Sequence, residues 1–260
     1  MNTTYEGKDM KGTVLRLEKS SIHDGFGLRT VVFLKGCLLR CQWCSTPESQ
    51  NFNIETAETN TYGEVMTVEQ VLKEIRKDIP FYFHSGGGLT ISGGELLAQP
   101  EFARNILRQA RKEGINRAIE TTFYAKWETV ESILQYTNTA FVDLKFFTSD
   151  LHKEYCGVDN EIILENLLNT NKMDKTFELI IRIPLIPGVN DSREELCKMG
   201  EFCAKLKNMD QLQLLPYHAL GSDTYRKLGR PYKLKNVNSP SEEHMEECRA
   251  IMKQYVENVI

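Results

Sequence analysis

Short apolar runs alternate with amphipathic stretches along most of the chain. The runs are rich in β-branched and aromatic residues and have the length of strands, as in RTVVFLK and FELIIRIPL. They predict strands at residues 29–35, 88–92, 118–121, 140–145, 177–185 and 211–215. The stretches between them repeat with the helical period and predict helices at residues 67–79, 100–113, 126–135, 161–168, 193–206 and 242–259.

The helix predicted from residue 67 has both a periodic face and a start signal. Its apolar residues fall on one helical face, at Val68, Val71, Leu72, Ile75 and Ile79. Thr67 and Gln70 have the spacing of a capping box, in which each side chain satisfies a backbone N–H of the other residue. Residues 45–63, in contrast, are polar and lack an apolar period, which predicts a loop.

Strands and helices alternate about six times, with short connections. Strands that are apolar on both faces and are joined by helices predict a parallel sheet and the α/β class. Six such units fit a partial (β/α)6 barrel or a doubly wound sheet. In both architectures, functional side chains lie at the carboxyl ends of the strands. Because we find no internal repeat and no shift in composition, we expect one domain over residues 1–260.

Composition and charge exclude several classes of protein. The 260 residues are 41% hydrophobic and 26% charged, with a mean hydropathy of −0.39, and no apolar run is long enough to span a membrane. Lys and Arg number 32 against 36 Asp and Glu, and no basic block stands out, so we expect neither a nucleic-acid nor a membrane partner. The polar start, MNTTYEGKDMKG, contains no secretory signal, which predicts a cytoplasmic protein.

Cysteine usage carries the strongest chemical signal. The chain has seven cysteines, an odd number that argues against a disulfide framework in a reducing cytosol. Three of them, Cys37, Cys41 and Cys44, fall within eight residues directly after a predicted strand. The others are scattered and are interpreted as structural: Cys156, Cys197, Cys203 and Cys248.

The spacing Cys-x-x-x-Cys-x-Trp-Cys indicates a site for a soft metal. Thiolates suit iron–sulfur clusters, zinc or copper. A structural zinc site needs four ligands, and no fourth Cys or His follows at ligand spacing. Three cysteines on a 4Fe–4S cluster leave one iron open to an external ligand. On spacing alone, a zinc site with a distant fourth ligand and fortuitous thiols are the alternatives.

This motif, CxxxCxΦC with an aromatic Φ, resembles the signature of the radical S-adenosylmethionine (SAM) enzymes. The rest of the chain is similar to one branch of them, the activating enzymes of glycyl radical enzymes, which include the activators of pyruvate formate-lyase. The similarity covers nearly the whole chain. It is carried by the segments DGFGLRTVVFLKGC, CQWCSTPESQ, LTISGGE, FVDLK, HKEYCGV, IIRIPLIPGVND, LLPYHALG and SPSEEH, which together are far more specific than the cysteines alone.

The resemblance implies a fold, two cofactors and a reaction. The fold is a partial TIM-like barrel of the radical SAM type. Cys37, Cys41 and Cys44 would bind three irons of one 4Fe–4S cluster, and SAM would chelate the fourth. An electron from the reduced cluster cleaves SAM, and the 5′-deoxyadenosyl radical takes a hydrogen atom from a glycine of a partner glycyl radical enzyme. In such an anaerobic oxidoreductase the cofactors do the chemistry, and the protein places them and excludes water.

The resemblance also assigns side chains to the SAM pocket. Lys145 would bind the SAM carboxylate and forms the candidate catalytic pair with Asp143, two residues away on the same face of a predicted strand. The remaining cofactor-binding candidates are Trp43, Cys44, Ser45, Gly93, Gly94, Glu95, Glu120, Arg182 and His218. Glycines let the backbone approach a ligand closely, and Glu95 would accept from the SAM ammonium.

Several of these candidates have plain structural alternatives. Trp43 would be a core aromatic, Gly93 and Gly94 a turn, the charged pair a solvated strand end, and His218 a satisfied loop residue. Arg182 is a cation within an apolar strand, so it needs an inward-facing partner.

Two positions depart from the formate-lyase activators. Those enzymes have Asp-Thr where this chain has Glu120 and Thr121, in a site that helps to hold a monovalent cation. They usually have Gly where this chain has Phe123. Both changes bear on whether the cation is kept. The segment from Asp24 to Arg29 resembles the loop that meets the incoming glycyl segment, with a simple turn as the alternative.

Residues 45–63 separate this chain from the relatives it otherwise resembles. CQWCSTPESQ and the C-terminal segment look more like activators of dehydratases and decarboxylases, such as those for glycerol, choline or hydroxyphenylacetate. Those relatives usually insert a ferredoxin-like segment with eight further cysteines here, whereas residues 45–63 contain none. We therefore predict one cluster, reduced directly by an external flavodoxin or ferredoxin.

Two other functions compete with activation of a glycyl radical enzyme. One is a radical SAM enzyme that acts on a small molecule or tRNA, against which the DGFGLR and LIPGVND segments argue. The other is a non-catalytic metal-binding paralogue. A metal analysis that finds one zinc per chain and no iron would favour that paralogue.

Overall fold

The computed structural model describes residues 7–260, so the first half of the polar N-terminal segment considered above lies outside the described residues. The chain forms two compact units. The first contains the described residues up to Leu38 with Glu48–Thr121 and Glu128–Ala140, and the second contains Leu39–Pro47, Thr122–Trp127 and Phe141–Ile260. Both units draw on three stretches of chain, and the single domain over residues 1–260 stays a prediction.

The first unit is built on a mixed sheet. Its strands are β1 (Lys11–Ser21), β2 (Arg29–Leu34), β5 (Glu64–Thr67), β6 (Gly88–Gly93) and β7 (Asn116–Thr121), with the first residues of β8 (Thr139–Asp143). A separate hairpin is formed by β3 (Glu55–Ala57) and β4 (Asn60–Tyr62). The helices are α1 (Val68–Arg76), α2 (Ile79–Ser85), α3 (Pro100–Lys112) and α4 (Trp127–Leu134).

The strand order in this unit is β8-β7-β6-β2-β1-β5. β6 is parallel to β2 and β7, with Ile91 opposite both Val32 and Ile119, and all three side chains are buried. This confirms the parallel arrangement predicted for the apolar runs. β1 and β5 are antiparallel additions that the sequence did not predict. β1 mixes buried residues with half-buried and exposed ones and several are charged, so β1 lacks the continuous apolar run used to find the other strands.

Helix α1 begins as its sequence predicts. The Thr67 side chain accepts from the Gln70 backbone N–H at 3.1 Å, and the Gln70 side chain accepts from the Thr67 N–H at 2.7 Å. The capping box is therefore present, and Val68, Val71, Leu72 and Ile75 are fully buried.

The second unit contains the last residues of β8 with β9 (Glu178–Leu185) and β10 (Met209–Pro216). The order is β8-β9-β10, and β9 and β10 are parallel, with Ile181 opposite Leu212. The helices are α5 (Ser149–Cys156), α6 (Glu161–Asn169), α7 (Arg193–Cys203), α8 (Ser222–Lys227) and α9 (Glu242–Met252).

Two predicted segments differ from the structure. The loop at residues 45–63 holds a 3₁₀ helix, Pro47–Ser49, and the β3–β4 hairpin, whose strands are too short and polar for a periodic signal. The last helix ends at Met252, not at residue 259. Its tail turns to pair with β10, where the Leu212 N–H donates to Asn258 at 2.9 Å and the Ile260 N–H donates to Leu212 at 3.0 Å. These long-range hydrogen bonds replace the helical ones.

The short helices α2, α5 and α8, which have six to eight residues, were also not predicted. Among the helices of residues 7–260, none combines the length and apolar character that crossing a bilayer requires.

Candidate active site

The first cysteine of the motif belongs to the first unit. β2 ends at Leu34, and the chain turns at Gly36, whose φ of +95° favours glycine. The Gly36 N–H donates to the Ser49 carbonyl at 2.7 Å, and the Cys37 N–H donates to the Gln50 carbonyl at 3.2 Å. Cys37 is buried, and its backbone is held by residues that follow the motif.

The second and third cysteines belong to the second unit. The backbone on both sides of Cys41 is bonded to the end of α5, because Arg40 N–H donates to the Cys156 carbonyl at 2.7 Å and Gln42 N–H to the Tyr155 carbonyl at 3.0 Å. Cys44 N–H donates to the Cys41 carbonyl at 3.2 Å. Cys41 is buried and Cys44 is half-buried.

A fourth cysteine, which sequence reasoning missed, lies beside Cys41. Hydrogen bonding with the Cys156 thiol lowers the pKa of Cys41, and the Lys145 ammonium adds to this effect against the opposing effect of burial. Burial raises the pKa of Cys44 to about 11. Cys156 therefore contacts the motif, and its interpretation as a structural residue stays a prediction. The signal available in the sequence is its place in the HKEYCGV segment.

The predicted charged pair is present in the second unit. Lys145 Nζ lies 2.6 Å from Asp143 Oδ2. Burial disfavours the Lys145 ammonium, but the attraction of Asp143, Cys41 and Cys156 together raises the Lys145 pKa above its usual value. β8 ends at Asp143, so Lys145 lies beyond the strand that we predicted would carry it. A buried ammonium is thus held charged next to Cys41.

Aromatic side chains pack beside these groups. The Trp43 ring is buried, with its centroid 6.1 Å from that of Phe146. Phe146 stacks on Tyr155 with a centroid distance of 5.6 Å. This packing is what a core aromatic would show, and the role of Trp43 next to the adenine of SAM stays a prediction.

The glycines of the GGE segment lie in the first unit, against backbone. A Cβ added at Gly94 would be 2.9 Å from the Gly36 carbonyl carbon and from the Ser49 carbonyl oxygen. Gly93 has a φ of +115° and approaches the backbone of β2. Both glycines therefore permit close approach of protein backbone, and their approach to SAM stays a prediction.

Glu95 and Glu120 are held by side chains of neighbouring strands in the same unit. Glu95 is buried, and its Oε1 accepts from the Thr121 hydroxyl at 2.7 Å and from the Leu97 N–H at 3.1 Å. Glu120 Oε2 accepts from the Ser92 hydroxyl at 2.6 Å. These contacts orient both carboxylates at the carboxyl ends of β6 and β7.

The backbone at Phe123 adopts a conformation that favours glycine, the residue that is usual at this position in the formate-lyase activators. Its φ is +61°, in the left-handed region, and its side chain is 1% exposed. Asn166 Nδ2 donates to the Phe123 carbonyl at 2.8 Å and so holds this backbone. A bulky residue in this conformation costs about 1–3 kcal/mol, which burial of the ring offsets.

The last three candidates lie apart along the second unit. Arg182 has the inward partners we predicted: its Nε donates to Gln213 Oε1 at 3.1 Å, and its guanidinium lies 3.7 Å from the centroid of the Phe141 ring. His218 is exposed after β10, and Ser45 is exposed after Cys44. Contacts of these three residues with a cofactor stay predictions.

The donor set fits an iron–sulfur cluster by its chemistry. Cys37, Cys41 and Cys44 supply three soft sulfurs, and the cysteines of residues 7–260 form no disulfide. Over the same residues, no three His, Cys, Asp or Glu side chains are gathered as a preformed metal site. A positive charge at Lys145 favours thiolate at the neighbouring Cys41, the form that binds iron.

Comparison with known proteins identifies the family. Residues 31–200 match the model of the radical SAM superfamily, which covers more than half of the chain. The chain therefore belongs to the radical SAM superfamily. The matched range contains the three motif cysteines, the GGE segment and the Asp143–Lys145 pair.

Several relatives are similar to nearly the whole chain. The isethionate sulfite-lyase activating enzyme of Oleidesulfovibrio alaskensis is 36% identical over 90% of this chain and 93% of its own length. The pyruvate formate-lyase 1-activating enzyme of Escherichia coli K12 is 34% identical over 96% of this chain and 98% of its own. These relatives confirm the predicted branch, the activating enzymes of glycyl radical enzymes.

A solved structure supports the fold. A domain of the pyruvate-formate lyase-activating enzyme from Bacteroides vulgatus matches with a TM-score of 0.56 and 34% identity, over 67% of this chain and 98% of that domain. The α/β fold with parallel strands, of the radical SAM partial-barrel type, is thereby confirmed.

Proposed function

We propose that this chain activates a partner glycyl radical enzyme by abstracting a hydrogen atom from one of its glycines. The observation that carries the proposal is the similarity to activating enzymes over nine-tenths or more of the chain. Membership of the radical SAM superfamily implies a 4Fe–4S cluster and SAM. When bound, these cofactors supply the reductive cleavage of SAM and the hydrogen-atom abstraction.

The chain's own residues have distinct tasks in this proposal. Cys37, Cys41 and Cys44 hold the cluster. Lys145 binds the SAM carboxylate, because a buried ammonium makes strong charge-assisted hydrogen bonds and Asp143 keeps it protonated and oriented. Glu95 accepts from the SAM ammonium while Thr121 and the Leu97 N–H fix its carboxylate.

The second task is to shield the reaction in a dry, packed site, because a carbon radical that abstracts hydrogen atoms attacks most C–H bonds. Trp43 and Phe146 are buried and Tyr155 stacks on Phe146, so apolar rings lie beside Cys41 and Lys145. A dry, packed surrounding of this kind protects reactive intermediates.

One cluster per chain is supported by the lengths of the alignments. The alignment with the isethionate sulfite-lyase activating enzyme runs over 288 positions, at least 28 more than the 260 residues of this chain. The alignment with the pyruvate formate-lyase 1-activating enzyme runs over only 251. The first relative thus carries residues that this chain lacks, as expected if an insert is missing. With one cluster, the electron comes from an external flavodoxin or ferredoxin in the cytoplasm.

We also propose that Glu120 helps to bind a monovalent cation. The Glu120 carboxylate is already oriented by Ser92, and the side chain is one methylene longer than the usual Asp. If the cation is used, exchange of potassium for a large organic cation lowers the affinity for SAM.

The test is anaerobic formation of 5′-deoxyadenosine. The protein is reconstituted with iron and sulfide, reduced with dithionite and mixed with SAM, and the product is quantified by chromatography. The glycyl radical enzyme encoded by a neighbouring open reading frame is then added, and its glycyl radical is measured by electron paramagnetic resonance. Cys41→Ala serves as the inactive control.

The outcomes separate the competing functions. We expect 5′-deoxyadenosine from the wild type and a glycyl radical on the added partner. Product with tRNA or small molecules, but no radical on any glycyl radical enzyme, would favour the second radical SAM function. No product despite four irons per chain would favour the non-catalytic paralogue.

A further inference from the structure

A basic segment of the second unit has no assigned role in the proposed function. Between residues 222 and 235 the chain has five cations and one carboxylate, a net charge of +4 in a protein whose net charge is −4. The cations are Arg226, Lys227, Arg230, Lys233 and Lys235. This cluster corrects our statement that no basic block stands out, since the balanced charge of the whole chain hides it.

This basic segment lies against the loop that carries two of the cysteines. The Tyr225 hydroxyl donates to the Cys41 carbonyl at 3.2 Å, and Arg230 Nη1 donates to the Pro47 carbonyl at 2.8 Å. A Cβ added at Gly221 would be 3.1 Å from both the Cα and the carbonyl oxygen of Ser45. Through Tyr225 and Arg230 the segment thus contacts the loop at Cys41 and at Pro47.

Packed tyrosine side chains hold the backbone of the basic segment. The Tyr232 hydroxyl is 2.6 Å from the Tyr217 hydroxyl, and the Tyr225 and Tyr232 rings meet edge to face with centroids 5.3 Å apart. Residues 232–235 alternate, with Tyr232 and Leu234 buried and Lys233 and Lys235 exposed. The two lysines are therefore presented to solvent from a fixed backbone.

The single carboxylate of the segment neutralises only part of its charge. Asp223 pairs with Arg226 at 2.5 Å and with Lys227 at 2.7 Å. The positive charge at Lys233 and Lys235 remains at the surface. Arginine and lysine in such a patch attract an acidic partner and accelerate its encounter.

We propose that residues 222–235 are the docking surface for an acidic electron-carrier protein that reduces the cluster. The inference rests on the proposed function, in which a single cluster must accept its electron from outside the chain. The positive charge of the segment favours an acidic partner. Its position favours an electron carrier, because the segment contacts the loop of Cys41 and Cys44 and electron transfer requires a short path. Encounters of electron carriers are small and transient, which suits a patch of this size.

The test reverses the two exposed lysines and follows cluster reduction. Lys233→Glu/Lys235→Glu is mixed anaerobically with reduced flavodoxin, and separately with reduced ferredoxin, and the loss of cluster absorbance is recorded by stopped flow. We expect reduction at least about tenfold slower than in the wild type at low salt, because like charges now repel the carrier. In the wild type, raising the salt concentration slows reduction; in the variant this dependence is lost or reversed.

The control reverses two equally spaced, exposed lysines of the same unit. Lys205 and Lys207 precede β10, whereas the basic segment follows it, and neither lysine is part of that segment. Lys205→Glu/Lys207→Glu changes the net charge equally, and we expect it to be reduced at nearly the wild-type rate.

Several results would overturn the proposal. Equal slowing in both double variants would show an effect of net charge alone. Reduction of the wild type by dithionite, but by neither flavodoxin nor ferredoxin, would show that an electron carrier of this kind is not the partner. Loss of RNA binding in Lys233→Glu/Lys235→Glu, with unchanged reduction by the carriers, would assign the surface to nucleic acid.

Dithionite separates this inference from the proposed function. With dithionite, Lys233→Glu/Lys235→Glu should form 5′-deoxyadenosine at the wild-type rate, since no carrier is needed. Loss of product there would place the lysines in the chemistry and refute docking. No product from the dithionite-reduced wild type would instead refute the proposed function.

Discussion

Substitution of Gly94 by alanine tests how the GGE segment supports the first motif cysteine. The added Cβ would lie 2.9 Å from the Gly36 carbonyl carbon and from the Ser49 carbonyl oxygen, and closer still to the Gly36 oxygen. All three are backbone atoms, so no side chain can rotate away. The same groups are hydrogen-bonded: Glu95 N–H donates to Gly36 at 2.8 Å, and Gly36 N–H to Ser49 at 2.7 Å.

The expected cost follows from these distances. Carbon atoms pack best at about 3.5–4.0 Å, so the backbones must separate by roughly 0.5–1 Å. Overpacking of this kind costs about 1–3 kcal/mol, and each weakened hydrogen bond adds about 1 kcal/mol. With two such bonds weakened, we expect a loss of about 3–5 kcal/mol in the free energy of unfolding, or about 6–20 °C in Tm.

The displaced backbone leads directly into Cys37, so iron binding should fall with stability. The control is Gly114→Ala. Gly114 has a φ of +71°, and among residues 7–260 no atom outside its immediate neighbours comes within 4 Å of an added Cβ. This variant incurs only the left-handed backbone penalty of about 1–2 kcal/mol and should keep full iron.

The assay is anaerobic thermal unfolding by circular dichroism, together with iron per chain after reconstitution. We expect Gly94→Ala to lose both stability and iron, and Gly114→Ala to lose stability alone. If Gly94→Ala binds iron like the wild type and unfolds within 2 °C of it, the close backbone approach does not support the cysteine loop, and the reasoning fails.

Further variants test the second unit. Cys41→Ala should abolish iron binding but leave a folded protein, because the cysteine lies in a loop; full iron would refute its role as a ligand. Cys156→Ala should keep iron but lower the reduction potential of the cluster in a titration, with Cys156→Ser restoring it, because a donor to sulfur favours the reduced state; equal potentials would contradict this. The Glu195 carboxylate accepts from the Thr148 backbone N–H at 2.9 Å and from the Thr148 hydroxyl at 2.6 Å. Glu195→Ala should therefore lower the free energy of unfolding, measured by chemical denaturation, by about 2–3 kcal/mol; a loss under about 0.5 kcal/mol would contradict a stabilising role for these hydrogen bonds. Burial lowers the pKa of His152 below its usual 6.5, so the folded state holds it neutral. The wild type therefore loses stability as the pH falls below 6.5, because the unfolded chain takes up a proton at His152 that the folded state disfavours. The Tm of the wild type minus the Tm of His152→Leu should shrink between pH 7.5 and pH 5.5, and a constant difference would refute this.

Local patterns account for the elements that the sequence predicted well. The capping box at Thr67 and the buried face of α1 involve residues no more than eight apart, so a short window contains all the information. The apolar runs of β2, β6 and β9 are similarly self-contained, because both faces of those strands are buried. β1 was missed because it lacks a continuous apolar run, and the tail after Met252 was missed because its partner, β10, is distant in the sequence.

The candidate site divides in the same way. The three cysteines and the Asp143–Lys145 pair are readable in the sequence, because the members of each group are close together along the chain. Phe123 was visible as a departure, but only its φ of +61° gives the departure a physical cause.

The sequence by itself therefore determined the class of protein, the metal-binding motif and the alternation of strands and helices. The tertiary structure alone decided that Cys156 lies beside Cys41, that Gly94 meets the backbone of Gly36, and that the basic segment contacts Cys41 and Pro47. The reason is physical: these contacts join residues from 58 to 184 positions apart, and they form only when separate strands and helices pack.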